Sequence, residues 1–429
     1  MSKPDAPYRK RKVADRALSP ETQIMSYGYD PKLSEWSLKP PVFLTSTFLF
    51  ESAEAGAAQF RVALGQAEEG DPESAGLLYT RFNNPNMEVL EDRLTLFDDA
   101  EEALVFASGM AAISTTLMAL APAGSVILQS TPVYGGTESL IRTLLPEYGV
   151  KSADFFAGGD ETEIREAADR ACTMGVVRVL YIETPTNPTN DLVDFALVGR
   201  IADYIAERQD GERPFIVCDN TFLGPIAQHP LEHGVDVLIY SLTKYVGGHS
   251  DLIAGAAVGK TEPLAKIRGL RSFLGTNLDP HTCWMLMRSL ETVKLRMEAA
   301  FAGARKVAEF LRDHPKVGRV RYLGFLEEGT REAELHARQA KADGSTFAFD
   351  LEDEAAAFRM LNALQVIKLA VSLGGTETLI CHPGTTTHRV VDPELRERSG
   401  FTSGMVRISV GVENPDDLIA DLSQALEQA

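Results

Sequence analysis

Ser241-Leu-Thr-Lys244-Tyr-Val-Gly-Gly-His249-Ser-Asp251 follows directly on the apolar run Val235-Asp-Val-Leu-Ile-Tyr240, and the junction between the two decides how the chain folds. The run reads as a buried parallel strand, so Lys244 falls just past its carboxyl end, where open α/β sheets bind ligands. Two hydroxyls, Ser241 and Thr243, precede the lysine and Gly247-Gly248 follow it. This grouping suits a loop that holds an anion beside an amine acting as nucleophile; a surface lysine in a Gly-rich loop is the plainer alternative.

Working outward, apolar runs alternate with helical patterns from Ala103 onward: ALVFA, SVILQS, ADFFA, VRVLYIE, PFIVCD, VDVLIY and IAGAAVG. Seven such runs predict a largely parallel sheet with helices on both faces. Ser108-Gly-Met-Ala-Ala112 is a strand-to-helix turn whose free N–H groups, at the positive end of a helix, suit a phosphate. It is not GxGxxG, which disfavours a nicotinamide-binding fold. Asp219 closes PFIVC and Glu183 closes VRVLYI. A carboxylate ending a buried strand is costly unless paired, so Asp219 fits either a helix N-cap or the partner of a cationic ring nitrogen.

After this unit a long helical pattern is expected from Leu286 to Leu311. Strands near Gly318–Tyr322, Ser345–Leu351 and Met405–Val410 and helices near Ala355–Leu364 and Asp416–Ala425 predict a smaller α+β domain. Arg407 lies inside one of these apolar strands and needs an anion, either a substrate carboxylate or a structural ion partner. Toward the N-terminus, Met1 to about Ser19 carries the basic cluster Arg9-Lys-Arg-Lys12 without periodicity and reads as a mobile or partner-draping arm. LKPPVFLTSTFLF, Leu38 to Phe50, reads as extended chain packing against something else. Glu68 to Gly76 reads as a surface insertion. Tyr79 and Arg81 lie two residues apart ahead of a helix from about Pro85 to Phe97; arginine suits bidentate phosphate binding, though both residues also fit an ordinary loop.

The 429-residue length allows a large domain plus smaller ones. A formal net charge of −19 argues against a nucleic-acid partner. No apolar run approaches the roughly 18 residues of a membrane span and no signal peptide is visible, so a soluble cytoplasmic protein is expected. Cys172, Cys218, Cys283 and Cys381 are scattered without a CxxC pair and read as reduced core residues. Neither His229 with His233 nor Cys381-His382 with His388 has metal-ligand context, so no metal is expected.

Taken together, SGMAA, VYGGT, ETPTNP, CDNTF, SLTKYVGGHSD, SLGGTET and RISVGVE resemble, in order and spacing, the cystathionine γ-synthase-like, or Cys/Met metabolism, family of pyridoxal-phosphate enzymes, over roughly residues 35 to 425. The resemblance implies a fold-type I α/β enzyme: a seven-stranded, mostly parallel sheet with a smaller C-terminal α+β domain and an N-terminal arm. The implied divisions are 1–80 for the arm and intersubunit segment, 81–285 for the cofactor domain and 286–429 for the C-terminal domain. It implies that Lys244 forms the Schiff base, Asp219 faces the pyridine nitrogen, Asn187 the ring hydroxyl, and Tyr134 and Thr221 the two ring faces. Gly109, Met110, Ser241 and Thr243 would hold the phosphate, joined by Tyr79 and Arg81 from a neighbouring subunit. Ser372 and Arg407 would take the substrate carboxylate, with Tyr134 assisting amine exchange and protonating the leaving group. A homotetramer of two catalytic dimers is the implied assembly.

The family contains γ-lyases, β-lyases and γ-replacing synthases or sulfhydrylases on one scaffold. Val371 is apolar where cystathionine-cleaving relatives often carry an acidic residue, which resembles methionine γ-lyases. Gly136 stands where many of those have a reactive cysteine, and their basic-acidic pair is replaced near Arg271-Ser272. The expectation is γ-elimination from methionine, cystathionine, canavanine or a similar amino acid, with γ-replacement as the runner-up and a non-catalytic scaffold as the reading of another class.

Overall fold

The computed structural model describes residues 8–429. Seven strands form one sheet: β1 Glu102–Phe106, β2 Ser125–Thr131, β3 Lys151–Phe156, β4 Val176–Glu183, β5 Phe215–Asp219, β6 Val237–Tyr240 and β7 Gly255–Gly259. Their spatial order is β1-β7-β6-β5-β4-β2-β3. All neighbours are parallel except β7, which runs antiparallel to β1 and β6. Alternate residues along each strand feed separate apolar clusters on the two faces. Leu180, Ile216 and Leu238 go to one, and Val179, Val217 and Ile239 to the other. Burial on both faces is why these segments read as continuous apolar runs. The chain leaves β2 for β3 on one side and returns to β4 on the other, so strand order reverses between β2 and β4 and opens a crevice at their carboxyl ends.

A second sheet has the order β8-β9-β12-β11-β10, from Val320–Arg321, Thr346–Asp350, Lys368–Leu369, Leu379–Cys381 and Met405–Ser409 in chain order. It is antiparallel apart from the β10–β11 pair. Helices Val293–Asp313, Glu354–Ala363 and Pro415–Leu426 cover one face, packing Val307, Leu311, Met360, Leu418 and Leu422 on Phe347, Phe349 and Ile408. Its antiparallel order leaves the other face to carry Arg407 toward the first sheet. No helix among the described residues is long and apolar enough to cross a membrane.

Two expectations are corrected. The helical pattern from Leu286 to Leu311 is two helices, Pro280–Leu290 and Val293–Asp313, because Thr292 leaves helical geometry and its hydroxyl bonds the Ser289 carbonyl. The basic N-terminal segment, beyond the part outside the described residues, is docked on its own chain. Lys12–Val13 pairs with Arg16–Ala17, Arg9 bonds Asp92 at 2.9 Å and Arg11 pairs with Asp99. The segment from 40 to 50 is extended as expected. Asn86 binds the Phe43 N–H at 2.8 Å and the Pro41 carbonyl at 2.8 Å, and Trp284 binds the Pro40 carbonyl.

Candidate active site

The carboxyl ends of β4, β5 and β6 are joined from below by buried hydrogen bonds. Gln228 donates to the Thr184 carbonyl at 2.8 Å and to Asn220 Oδ1 at 3.1 Å. Asn220 donates to the Tyr240 hydroxyl at 2.8 Å, and that hydroxyl donates to Asp98 at 2.9 Å. Burial pushes the Asp98 carboxyl up, opposed by His229 and Tyr240. Thr184, Asn220 and Tyr240 each adjoin a residue of the site above. The network therefore fixes three strand ends relative to one another.

Above this floor Asp219 is 7% exposed and has no ion-pair partner among the described residues. It is not a helix N-cap; its Oδ1 accepts the Thr221 N–H at 3.0 Å in a local turn. Burial raises its pKa, while bonds from Thr221 and Tyr181 lower it. A buried carboxylate without a cation suits a protonated pyridine nitrogen. Thr221 Oγ1 in turn accepts the Ser241 N–H at 2.8 Å, tying the β5 end to the lysine loop.

Lys244 Nζ donates to Ser372 Oγ at 2.8 Å. Burial, and then the positive charge of Arg407, bring its pKa down from 10.5 to about 8, so roughly a tenth is the free amine at pH 7, far more than for an ordinary lysine. Arg296 was not foreseen. Its guanidinium donates to the carbonyls of Tyr245 at 2.7 Å and Val246 at 3.2 Å, bracing the turn after the lysine. Gly248 makes room for it: a Cβ there would lie 1.8 Å from Arg296 Nη1, and φ is +70°. The Gly247-Gly248 pair was the visible half of this contact.

Helix Gly109–Leu120 points its N-terminus at the same loop, capped by Ser108, whose hydroxyl accepts from Ala111 N at 3.0 Å. A Cβ at Gly109 would meet Ser241 Cβ at 2.9 Å and Oγ at 3.0 Å. Only glycine permits this approach, which sets the helix N-terminus, with its Gly109 and Met110 N–H groups, beside the Ser241 hydroxyl. The cradle fits a phosphate. Thr243 differs: its hydroxyl is engaged with both backbone groups of Ala254, at 3.2 and 3.0 Å.

On the opposite wall Arg407 is 3% exposed and has no carboxylate partner among the described residues. It donates to Asn187 Oδ1 at 3.1 Å and to the Ser372 carbonyl at 2.8 Å. Ser372 thus serves Arg407 with its carbonyl and Lys244 with its hydroxyl, from a backbone held at φ +106° that non-glycine residues rarely adopt. The Tyr134 ring is 40% exposed and passes over Gly136, where a Cβ would lie 2.6 Å from Tyr134 Cε1 and 3.0 Å from Met110 Sδ. A cysteine at 136 would displace the ring. Arg271 is buried in an ion pair with Glu91 at 2.6 Å, so it belongs to the scaffold.

The structure gathers Lys244, Ser372, Arg407 and Asn187 through direct bonds, and Asp219, Thr221, Ser241 and Gly109 through the neighbouring turns. Tyr79 and Arg81 have no hydrogen bond, ion pair or ring contact with these residues. Tyr79 faces Phe82, and Arg81 bonds the Ser272 carbonyl and covers the Phe82 ring. Val371 lines an apolar cavity of about 390 Å³ with Phe358, Leu361 and Leu369.

The family described as "Cys/Met metabolism PLP-dependent enzyme" matches residues 21–427. The chain belongs to that family. Family membership makes pyridoxal 5'-phosphate its cofactor, in keeping with the unpaired Asp219, the glycine cradle and the free amine. An L-methionine gamma-lyase of Fusobacterium nucleatum subsp. polymorphum is 38% identical over 395 residues, covering 91% of this chain and 94% of the relative. The cystathionine beta-lyase MetC of Bacillus subtilis is 35% identical over 351 residues, covering 82% and 86%. Among solved structures, the cystathionine gamma synthase of Xanthomonas oryzae pv. oryzae superposes with a TM-score of 0.84 at 28% identity, covering 96% of this chain and 99% of that one. This member of the Cys/Met metabolism family is thus an α/β, fold-type I, pyridoxal-phosphate-dependent enzyme of the lyase and synthase kind.

Proposed function

We propose that the enzyme is a γ-lyase: it removes the γ-substituent of a methionine-like amino acid and yields the leaving group, an α-keto acid and ammonia. The observation that carries this reading is the shared Ser372, which sets an amine of depressed pKa beside a guanidinium lacking a carboxylate partner. Arg407 binds the substrate carboxylate, as a buried cation suited to a bidentate anion. Lys244, deprotonated above about pH 8, removes the Cα proton. When bound, pyridoxal phosphate supplies a sink for the electron pair left at Cα. Asp219 would keep the ring nitrogen protonated, and Gly109, Met110 and Ser241 would hold the phosphate. Once it has given up the Cα proton, Lys244 is again a free amine and takes a proton from Cβ, and the Tyr134 hydroxyl protonates the departing γ-substituent.

Elimination rather than replacement is supported by the methionine gamma-lyases among the relatives and by the apolar Val371 ahead of Ser372. The test supplies methionine, cystathionine, canavanine and O-acetylhomoserine separately, with and without a thiol, and follows keto acid and leaving group. Thiol-independent release is expected, and Lys244→Ala is expected to lower it at least about 10³-fold. Reaction of acylated homoserines alone, with a thiol diverting keto acid into a thioether, would establish γ-replacement instead. A protein that takes up no pyridoxal phosphate would be a scaffold.

A further inference from the structure

Glu183 closes β4 inside the site, and the catalytic scheme above gives it no task. Its side chain is buried and no basic group pairs with it among the described residues. One carboxylate oxygen accepts the Tyr134 N–H at 2.7 Å and the other accepts the Asn187 N–H at 3.3 Å. Its own N–H is fixed by Ser130 Oγ at 3.1 Å. Glu183 is in register with Asp219 on the adjacent strand. Burial, and then the Asp219 charge, raise its pKa, while the two backbone N–H groups lower it. A carboxylate in so unfavourable a place must perform something that an apolar residue could not.

We propose that Glu183 is a positioning residue that spaces Tyr134 from Asn187 and, through the Asn187 side chain, aims Arg407 at the substrate carboxylate. The inference rests on the reading of Arg407 as the carboxylate site. The bonds run without a break from Tyr134 N to Glu183, Asn187 N, Asn187 Oδ1, Arg407, Ser372 and Lys244 Nζ. Two acceptor oxygens on one side chain are needed because two backbone donors converge on it. Glutamine offers only one acceptor, and its amide N–H₂ would face the other donor. The shorter Tyr134 bond keeps the oxygen in Glu183→Gln, so the mismatch falls on Asn187 and is passed to Arg407.

The test uses the cofactor-loaded enzyme and two unreactive amines, glycine and methylamine, which differ in the carboxylate. Their affinities are read from the change in the visible absorption of the cofactor. Glu183→Gln is expected to weaken glycine binding about tenfold, leaving methylamine and the affinity of the apoprotein for pyridoxal phosphate within about threefold. Equal weakening of both amines, or of neither, overturns the proposal, because a merely structural role makes no distinction between them. Should Glu183→Gln fail to fold, Glu183→Met, which removes both acceptor oxygens at similar length, must show the same selective loss of glycine binding, and its absence overturns the proposal equally. Neither amine carries a γ-substituent, so the outcome is independent of whether the enzyme eliminates or replaces one.

Discussion

The floor and the rim of the site are built on opposite terms. Beneath Asp219 and Lys244, the buried polar residues Asp98, Tyr240, Asn220 and Gln228 find partners within the chain. On the surface, by contrast, large apolar side chains face outward: Leu38, Leu44, Leu49 and Phe273 are 75 to 97% exposed, and we propose that this face forms the rim of the site. Pairing of Thr47 with Tyr79 and the bond from Arg81 to Ser272 draw these segments onto one face. A polar interior answers a need for fixed geometry, and an apolar exterior of this extent answers a need for a partner. The comparison teaches that one chain completes the floor of the site, and we propose that a second copy completes its rim.

The sharpest way to break this contrast is to mix two inactive variants. Arg81→Ala and Lys244→Ala, combined in equal amounts under subunit exchange, should recover about a quarter of wild-type turnover, since half the dimers are mixed and each holds one intact site. No recovery, with exchange verified by mass-tagged subunits, would confine both residues to one chain and leave the rim unexplained.

A second prediction concerns the cost of placing Lys244 on the floor. Its folded pKa of about 8 lies below the ordinary 10.5. Between these values the unfolded chain binds more protons, so raising the pH stabilises the apoprotein, by up to about 3 kcal/mol. Denaturant midpoints of the apoprotein and of Lys244→Met, compared from pH 7 to 10, should converge if the lysine is the weaker at low pH. Parallel curves would show that the amine is not desolvated.

The smallest effects separate the two regions directly. Tyr240→Phe removes the donor to buried Asp98 and should destabilise the protomer by about 1 to 3 kcal/mol in urea. Phe273→Ser should alter protomer stability by less than about 0.5 kcal/mol while shifting sedimentation toward smaller species. The reverse pattern would mean that Phe273 packs within its own chain and that the floor is dispensable.

Most of the scaffold was legible because its signals are local. Every one of the seven apolar runs became a strand, since burial on both faces leaves no room for polar residues. Lys244, Asp219, Glu183 and Arg407 stood out as charged groups just past, at the end of or within apolar strands, whereas Asn187 was named only through the family resemblance. The break at Thr292 was not legible, because helical periodicity continues across it and the turn is set by contacts with Ser289. Nor was the docking of Arg9 and Arg11, whose partners Asp92 and Asp99 lie more than eighty positions away.

The sequence by itself determined the parallel sheet, the lysine loop at its edge and the family to which the chain belongs, because periodicity, glycine spacing and motif order are written along the chain. The tertiary structure decided what each charge does. It turned Arg271 into a scaffold ion pair and Arg296 into the brace of the lysine turn, left Arg407 facing the site, and made Glu183 the link between Tyr134 and Asn187. Such roles depend on which donors and acceptors meet across long loops, and a buried charge takes its meaning from its neighbours in space.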